Sequence, residues 1–370
     1  MTDGVVLAHD YATQRGGAER VALLLAQAFP GSPMYTTLYD ARGTFPEFAD
    51  VPLRTGPLDR VPALRRHHRY ALPLLAPAVS RQRVDGDVLV ASSTGWAHGY
   101  RGARRTVVYC HAPARWLYQR DRYLGARDGS SAAARTVLAG LSPALRRWDA
   151  RGARRADVYL ANSTVTRLAV RDAYGIDAQV VPPPPALLPG GRARPLPGVA
   201  PGFLLCVARL LPYKNVDVVV DAALELGRPL VVVGDGPERD RLRARAARGS
   251  AGRVLLAGRV DDDTLRWLYR NAALLVAASH EDFGLTPLEA GASGVPVAAL
   301  RGGGYLDTVV EGVNGTFFDA PRVDLVAGAA EKALGTRWDV AAIAAHVDGF
   351  GQDRFVARLR AEVARLREDR

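Results

Sequence analysis

Short apolar runs alternate with amphipathic segments through the second half of the chain. The runs predict buried strands at 203–208 (FLLCVA), 229–234 (PLVVVG), 254–258 (VLLAG), 274–279 (LLVAAS) and 296–300 (PVAAL). The segments between them predict helices at 215–226, 237–249 and 262–272, with a further helix after HEDFGLTPLEA at 280–290. Continuous apolar strands separated by helices are typical of a parallel sheet covered on both faces. The pattern therefore predicts a doubly wound domain.

The first half repeats this pattern less regularly. Strands are predicted at 4–10, 87–93, 106–112 and 157–163, and a loop and helix at 16–29. Residues 182–202 hold eight of the 24 prolines, which indicates an extended linker. We therefore predict two Rossmann-like α/β domains, with a ligand at the carboxyl ends of their strands.

The predicted boundaries are a domain at 1–181, the linker at 182–202, a second domain at 203–345 and a C-terminal helix at 346–370. That helix carries Phe355, Leu359, Val363 and Leu366 on one face and should dock on a domain.

Composition narrows the class of protein. Apolar residues make up 48% and charged residues 24%, and no run of about 18 apolar residues predicts a transmembrane helix. The first residues, MTDGVVLAHD, lack the features of a signal peptide. Cys110 and Cys206 lie in separate apolar runs, so we expect buried thiols, with a disulfide or a metal pair as the alternative. We therefore expect a cytoplasmic protein.

Positive charge is concentrated in the first half of the chain. The formal net charge is +11. Residues 1–200 contain 27 arginines and no lysine against 15 acidic residues, whereas residues 201–370 contain 22 basic and 23 acidic residues. The asymmetry indicates an acidic partner for the first half, such as nucleic acid, an anionic membrane surface or a phosphorylated substrate. A genome biased toward arginine explains arginine over lysine, but it does not explain the asymmetry.

Two sets of residues at predicted strand ends suit an anion. Gly16 and Gly17 precede the first helix, where backbone N–H groups suit a phosphate, although glycines are also common loop residues. Arg209 and Lys214 follow the strand at 203–208, and the two cations suit a diphosphate and the charge on a leaving phosphate. A solvated loop pair is the alternative. No G-x-G-x-x-G follows a strand, which disfavours an NAD-dependent or epimerase-like enzyme.

Glu281 and Glu289 flank the turn formed by Phe283, Gly284 and Leu285. Thr286 to Glu289 fit a capping box with Thr286 as the N-cap, which gives Glu289 a structural explanation. The capping box leaves Glu281 and the glycine turn unexplained. A glycine before a helix lets backbone amides approach an anion, and a carboxylate on each side suits hydroxyls on two sugars. A nucleotide sugar has this arrangement of ribose, diphosphate and transferred sugar.

These motifs together resemble family 4 of the retaining glycosyltransferases, whose fold is the two-domain GT-B architecture with a cleft between the domains. The resemblance rests on HDYATQRGGAER, YCHAPAR, the R-x4-K pair, the GDGP turn, E-x7-E around FGL, and the GGG loop, and it covers nearly the whole chain. Within the family the chain resembles bacterial mannosyltransferases and related nucleotide-sugar transferases. One departure is Asp307 where the family often has Glu after its GG loop.

The resemblance implies a role for each matching residue. Arg209 and Lys214 would bind the donor diphosphate, Glu281 the transferred sugar, and Glu289 the ribose hydroxyls. Phe283, Gly284 and Leu285 would present backbone to sugar and phosphate, Gly16 and Gly17 would approach the diphosphate, and His111 would lie near the transferred sugar. No metal or other cofactor is expected, since the cations replace it and Asp261 to Asp263 fit a helix start rather than a metal-binding loop.

The sequence leaves the donor and the acceptor open. The predicted reaction is hexosyl transfer from a GDP-mannose or UDP-hexose type of donor to a glycan, a lipid-linked acceptor or a natural product. The alternatives are the NAD-dependent or epimerase-like enzyme and a basic nucleic-acid-binding protein, for which no recognition helix is evident. The basic segment 60–84 predicts contact with an anionic lipid surface, at the inner face of the membrane, with an ordinary basic surface as the alternative.

Overall fold

A computed structural model describes residues 4–67, 71–119, 132–249 and 253–368. The chain divides into two compact units. The first unit contains Met1–Pro183 together with Asp353–Arg370, and the second contains Pro184–Gln352.

The first unit is built on a parallel sheet. Among its described residues seven strands pair in the order β3-β2-β1-β4-β5-β6-β7. Their bounds are β1 Val5–His9, β2 Met34–Thr36, β3 Leu53–Thr55, β4 Val88–Ser93, β5 Arg105–Cys110, β6 Val158–Ala161 and β7 Gln179–Val180. The sequence pattern did not predict β2, β3 and β7, which have only two or three residues each and contain polar or exposed positions.

Helices connect these strands. They are α1 Gly17–Ala28, α2 Pro62–Arg66, α3 Leu72–Arg81, α4 Arg115–Tyr118, α5 Ala132–Ala153 and α6 Thr164–Tyr174, with 3-10 turns at Pro46–Asp50, Pro57–Arg60 and Ala97–Gly99. Gly16 is the N-cap of α1, so the predicted glycine start of this helix is confirmed. The hydroxyl of Ser163 caps α6 by accepting from the amide of Thr166.

The second unit contains another parallel sheet. Six strands in its described part pair in the order β10-β9-β8-β11-β12-β13, with bounds β8 Phe203–Val207, β9 Leu230–Val233, β10 Val254–Gly258, β11 Ala272–Ala277, β12 Val297–Leu300 and β13 Gly315–Phe318. The helices are α7 Val216–Glu225, α8 Arg239–Ala246, α9 Asp262–Asn271, α10 Leu285–Ala292, α11 Tyr305–Thr308, α12 Val323–Gly335 and α13 Val340–Asp348, with a 3-10 turn at Pro212–Lys214. Both sheets wind outward from a central strand, so the prediction of two Rossmann-like α/β domains is confirmed.

Burial on both faces explains the continuous apolar strands. In β1, Val6 and Ala8 belong to one core while Val5 and Leu7 belong to the core on the opposite face. In β8, Leu204 and Cys206 face one core and Phe203 and Leu205 the other. Successive side chains of a strand point to opposite faces, so a sheet covered by helices on both sides requires apolar residues at every position.

The C-terminal helix packs on the first unit. It is α14, Gln352–Glu368, and its residues Phe355, Leu359, Val363 and Leu366 are buried in the core that contains Leu7 and Leu25. The predicted docking face is therefore confirmed, but the helix begins at Gln352 rather than at 346, because residues 346–348 still belong to α13. A glycine at position 349 and another at 351 separate the two helices.

The proline-rich segment 182–202 forms neither helix nor strand, and its Leu187 is buried in a core of the second unit. Both cysteines are free and buried, as expected from their apolar surroundings. In the part of the chain that the structure describes, every helix is too short or too polar to cross a membrane.

Candidate functional site

The site in the second unit lies where the winding of the sheet reverses. β8 and β11 are neighbours, but the chain leaves them toward opposite sides of the sheet, to β9 and to β12. Such a reversal leaves a crevice outside the carboxyl ends of the two strands. Lys214 follows β8 and Glu281 follows β11, so the fold brings the two residues to the same place.

Lys214 and Glu281 contact each other directly. The ammonium of Lys214 donates to Oε1 of Glu281, and the two side chains are 9% and 25% exposed. Oε1 also accepts from the hydroxyl of Ser279 at 2.5 Å, and that hydroxyl lies 3.1 Å from the hydroxyl of Tyr305. Burial and the charge of Glu281 raise the pKa of Tyr305, which therefore stays protonated. The network fixes a cation and a carboxylate at a partly open position.

The turn between the two glutamates is held by close backbone packing. Gly284 is the N-cap of α10 and has a φ of 85°, a left-handed conformation that favours glycine. A Cβ on Gly284 would lie 2.5 Å from the ring of Tyr305. On the other side of the turn, the amide of Gly304 donates to the carbonyl of Glu281 at 2.8 Å, and a Cβ there would meet Phe283 at 2.3 Å. The GGG loop therefore fits against the turn.

The predicted capping box is wrong. The helix begins at Leu285, one residue before Thr286, so Thr286 lies inside the first turn and cannot be the N-cap. Glu289 instead accepts a hydrogen bond from the hydroxyl of Tyr269 at 2.7 Å, which joins α10 to α9. Burial, followed by the charge of Glu289, raises the pKa of Tyr269, so its hydroxyl remains a donor. Glu289 itself is 8% exposed.

The structure shows where the remaining predicted residues lie, and it adds Asn215, which was not predicted. Arg209 lies two residues after β8 with an exposed side chain. Asn215 has a left-handed φ of 52°, and its side-chain amide donates to the carbonyl of Ala278 at 2.9 Å, which ties the loop after β8 to the end of β11. Asp261 is the N-cap of α9 and accepts from the amide of Thr264, which confirms its reading as a helix start. Asp307 lies in α11 and is half-buried.

In the first unit, His111 belongs to a buried chain of polar groups. His111 follows β5, and its Nε2 lies 2.8 Å from Oγ of Ser92 at the end of β4. The same oxygen lies 3.0 Å from Nδ1 of His9 at the end of β1. Burial lowers the pKa of His111 to about 3, and the nearby His9 and Arg115 act in the same direction. His111 is therefore neutral at physiological pH.

A buried carboxylate shapes the loop beside this chain. Asp10 accepts hydrogen bonds from the amides of Thr94, Trp96 and Ala97, the last at 2.6 Å, and from the hydroxyl of Thr94. Three backbone amides satisfied by one carboxylate fix the path of the chain after β4. This loop leaves the sheet at its own reversal point, between β1 and β4.

Gly16 and Gly17 open α1 in the same unit. Gly16 has an extended backbone, and a Cβ on it would lie 2.7 Å from a carboxylate oxygen of Glu19. A side chain at position 16 would require that buried carboxylate to move. Their assignment to the donor diphosphate stays a prediction.

Sequence reasoning missed the partners of the predicted residues. The positions of Ser279 and Tyr305 in the sequence could have identified them as site residues, since Ser279 ends a predicted strand and Tyr305 follows the GGG loop. His9 and Asp10 end the first predicted strand and lie in the motif HDYATQRGGAER. Tyr269 and Ser92 had no distinguishing local pattern, because Tyr269 is one of several polar side chains in its helix and Ser92 is one of two serines at the end of its strand.

Comparison with known proteins identifies relatives for both units. A family model described as "Glycosyltransferase Family 4" matches residues 15–185, and one described as "Glycosyl transferases group 1" matches residues 194–343. A D-inositol 3-phosphate glycosyltransferase of Acidothermus cellulolyticus is 34% identical over 50% of this chain and 51% of its own length. A GDP-mannose-dependent alpha-(1-6)-phosphatidylinositol monomannoside mannosyltransferase of Mycolicibacterium smegmatis is 31% identical over 46% of this chain and 51% of its own. The chain thus spans about half the length of the curated relatives it matches.

A solved structure resembles the fold over its full length. Anabaena HepE in complex with UDP and glucose has a TM-score of 0.69 at 20% sequence identity, covering 99% of this chain and 100% of that one. At this identity the likeness supports the fold alone.

Replacement of Gly284 by alanine should destabilise the second unit more than replacement of Gly312. Both glycines have positive φ, 85° and 80°, but a Cβ on Gly312 meets no heavy atom within 4 Å. The left-handed backbone costs each variant about 1–2 kcal/mol, and the collision with Tyr305 adds roughly 1–3 kcal/mol for Gly284→Ala. Urea denaturation measures both. Equal losses would show that Tyr305 does not hold the turn.

Proposed function

We propose that this chain, which belongs to the family 4 glycosyltransferases, transfers a hexosyl group from a nucleoside diphosphate sugar to a hydroxyl, with retention of anomeric configuration. The observation that carries the proposal is the set of groups at the reversal point of the second sheet. Lys214 and Glu281 are in contact after neighbouring strands, and the next turn leads to a buried Glu289. A cation with carboxylates on either side of a glycine turn suits the phosphate and the two sugars of such a donor.

The comparisons support this class of donor without defining the sugar. The mycobacterial relative is named as GDP-mannose-dependent, and the structural neighbour binds UDP and glucose. We propose a donor of the GDP-mannose or UDP-hexose type. The acceptor is a hydroxyl of a glycan, of a lipid-linked sugar or of a natural product, in polysaccharide or glycolipid assembly.

The proposed mechanism relies on positioned charges and needs no metal. The acceptor oxygen attacks the anomeric carbon on the face from which the phosphate leaves, and an oxygen of the departing diphosphate takes the acceptor proton. Lys214 and Arg209 stabilise the negative charge on the leaving diphosphate. Glu281 positions the transferred sugar. Through its contact with Lys214 it also orients the ammonium group of that lysine.

Residues of the first unit have supporting roles in the proposal. The ring of His111 is neutral, so its predicted contact with a sugar would come from an uncharged ring nitrogen. For Gly16 and Gly17 we keep the prediction from the sequence of a backbone contact with a phosphate.

Release of nucleoside diphosphate should continue in EDTA and should depend on Lys214. The experiment screens common sugar nucleotides with and without EDTA. With the donor that turns over, Lys214→Ala should lower kcat by about 10²-fold or more, the effect of losing one preorganised charge at a leaving group.

The control for that screen is the other lysine of the chain. Lys332 is exposed and pairs with Glu311 at 3.1 Å, so Lys332→Ala keeps the change in charge but should leave kcat unaltered. A strict requirement for magnesium or manganese would contradict the charge assignment. Failure of every sugar nucleotide would contradict the function itself.

Glu289→Gln should weaken donor binding by about 10- to 150-fold, because charge-assisted hydrogen bonds to the ribose contribute roughly 1.5–3 kcal/mol. The amide oxygen can still accept from Tyr269, so the melting temperature without ligand should barely change. Tyr269→Phe is the matched variant: it removes the bond but keeps the carboxylate, and should weaken binding only about 2- to 10-fold. Calorimetric titration measures both, and normal donor affinity in Glu289→Gln would reduce this residue to a structural link between α9 and α10.

We also propose that the first unit contacts an anionic membrane through the segment 60–84. Arg60, Arg66, Arg81 and Arg83 are exposed there and form no ion pair with any described residue, while Val61 and Leu74 are 44% and 45% exposed. Positions 68–70 of the segment lie outside the described residues. Basic side chains beside exposed apolar ones suit lipid headgroups, at about 1 kcal/mol for each cation near the surface.

Co-sedimentation with vesicles of anionic lipid at low salt tests this surface. The wild-type protein should pellet with the vesicles, and Arg60→Glu combined with Arg66→Glu should release it. The control combines Arg243→Glu with Arg248→Glu, which makes the same change of charge at exposed positions of the second unit. This control variant should still pellet with the vesicles. Absence of wild-type binding, or equal loss in both double variants, would remove the membrane from the proposal.

A further inference from the structure

The chain His9–Ser92–His111 links the ends of three neighbouring strands. β1, β4 and β5 are adjacent in the first sheet, and His9 and Ser92 are paired in register. The exposed fractions of the three residues are 2%, 0% and 6%. One hydroxyl thus lies between two imidazole rings, at 3.0 Å from Nδ1 of His9 and 2.8 Å from Nε2 of His111, in a place without bulk water.

Proton counting leaves two arrangements for this chain. A serine hydroxyl has one proton and two lone pairs, and the two rings are the only hydrogen-bond partners of the Ser92 hydroxyl among the described residues. A fully paired hydroxyl therefore donates to one ring and accepts from the other. In the first arrangement, Nδ1–H of His9 donates to Ser92, and Ser92 donates to Nε2 of His111. In the second arrangement both directions are reversed. With both rings neutral, the first puts the His111 proton on Nδ1, and the second puts it on Nε2.

The surroundings of His9 favour the first arrangement. Nε2 of His9 is buried and has no hydrogen-bond partner among the described residues. In the reversed arrangement this nitrogen would carry the proton, as a buried N–H group without an acceptor. Native proteins rarely leave buried donors unpaired. In the first arrangement the proton of His9 is on Nδ1, where Ser92 accepts it, and Nε2 is left as a bare lone pair.

We propose that Ser92 is a positioning residue whose hydroxyl, held by His9, donates to Nε2 of His111 and keeps the His111 proton on Nδ1. His111 then presents a neutral N–H donor through Nδ1, which, unlike Nε2 of His9, is not one of the buried side-chain atoms that lack a partner. The second part of this inference rests on the proposed function, since it takes a sugar hydroxyl or a phosphate oxygen as the acceptor. The tautomer itself does not depend on any substrate.

The neighbouring serine provides a matched control. Ser93 also ends β4 and is fully buried, but its hydroxyl lies 3.1 Å from Nδ1 of His98 on the other face of the sheet. Replacing Ser92 or Ser93 by alanine therefore removes the same group from adjacent positions. Only the first change removes the partner of His111.

Side-chain ¹⁵N spectra of histidine-labelled full-length protein test the tautomer directly. His111→Gln assigns the signals of His111 among those of the seven histidines. In the substrate-free wild type we expect a protonated Nδ1 and a bare Nε2. Ser92→Ala should change both His111 shifts toward a mixture of tautomers, whereas Ser93→Ala should change His98 and leave His111 as it is.

Kinetics supply a second readout. Ser92→Ala should lower kcat/KM by about 2- to 10-fold, the effect of one neutral hydrogen bond.

A proton on Nε2 of His111 in the wild type would overturn the proposal, and so would unchanged His111 shifts in Ser92→Ala. If Ser92→Ala fails to fold, the wild-type spectrum alone decides. The spectra need no turnover, so a failure of the proposed function would leave this result standing, and the two failures can be told apart.

Discussion

The reversal of winding between β8 and β11 is the constraint on which the site depends. Parallel strands end at the same edge of a sheet, so the loops after β8 and β11 start side by side and then diverge. Lys214 and Glu281 are 67 residues apart in the sequence, yet this topology brings their charges into contact. The first sheet reverses between β1 and β4, and there the same rule collects His9, Asp10 and Ser92.

Buried charge at such an edge needs partners, and the structure supplies them from several loops. Lys214 is nearly buried, and removal of its partner would leave an uncompensated charge, which is strongly destabilising. Ser279 and Tyr305 complete the shell of Glu281. Tyr305 in turn occupies the space that a side chain on Gly284 would need. The glycine turn, the GGG loop and the ion pair therefore form one packed unit, and a change in one of them affects the others.

The sequence predicted those features that arise from local patterns. Apolar runs identified the central strands, because both faces of each sheet are buried, and the pattern Phe355-Leu359-Val363 identified the docking face of the last helix. The capping box at Thr286 failed because the N-cap is Gly284, whose left-handed backbone starts the helix two residues earlier than predicted. His111 was found through the family resemblance, but its partner Ser92 is 19 residues away and His9 is 83 residues from Ser92. Pairings of that kind follow from strand order, which no local pattern contains.

The central claim is that the reversal point of the second sheet holds a nucleoside diphosphate. The most direct test is the thermal unfolding of the wild-type protein with GDP, UDP or NAD⁺ at equal concentrations. A ligand that binds only the folded state stabilises it by about 2.7 kcal/mol at a hundred times its Kd, which is a readily measured rise in Tm. GDP or UDP should raise Tm, and NAD⁺ should not. A rise with NAD⁺ alone would contradict it.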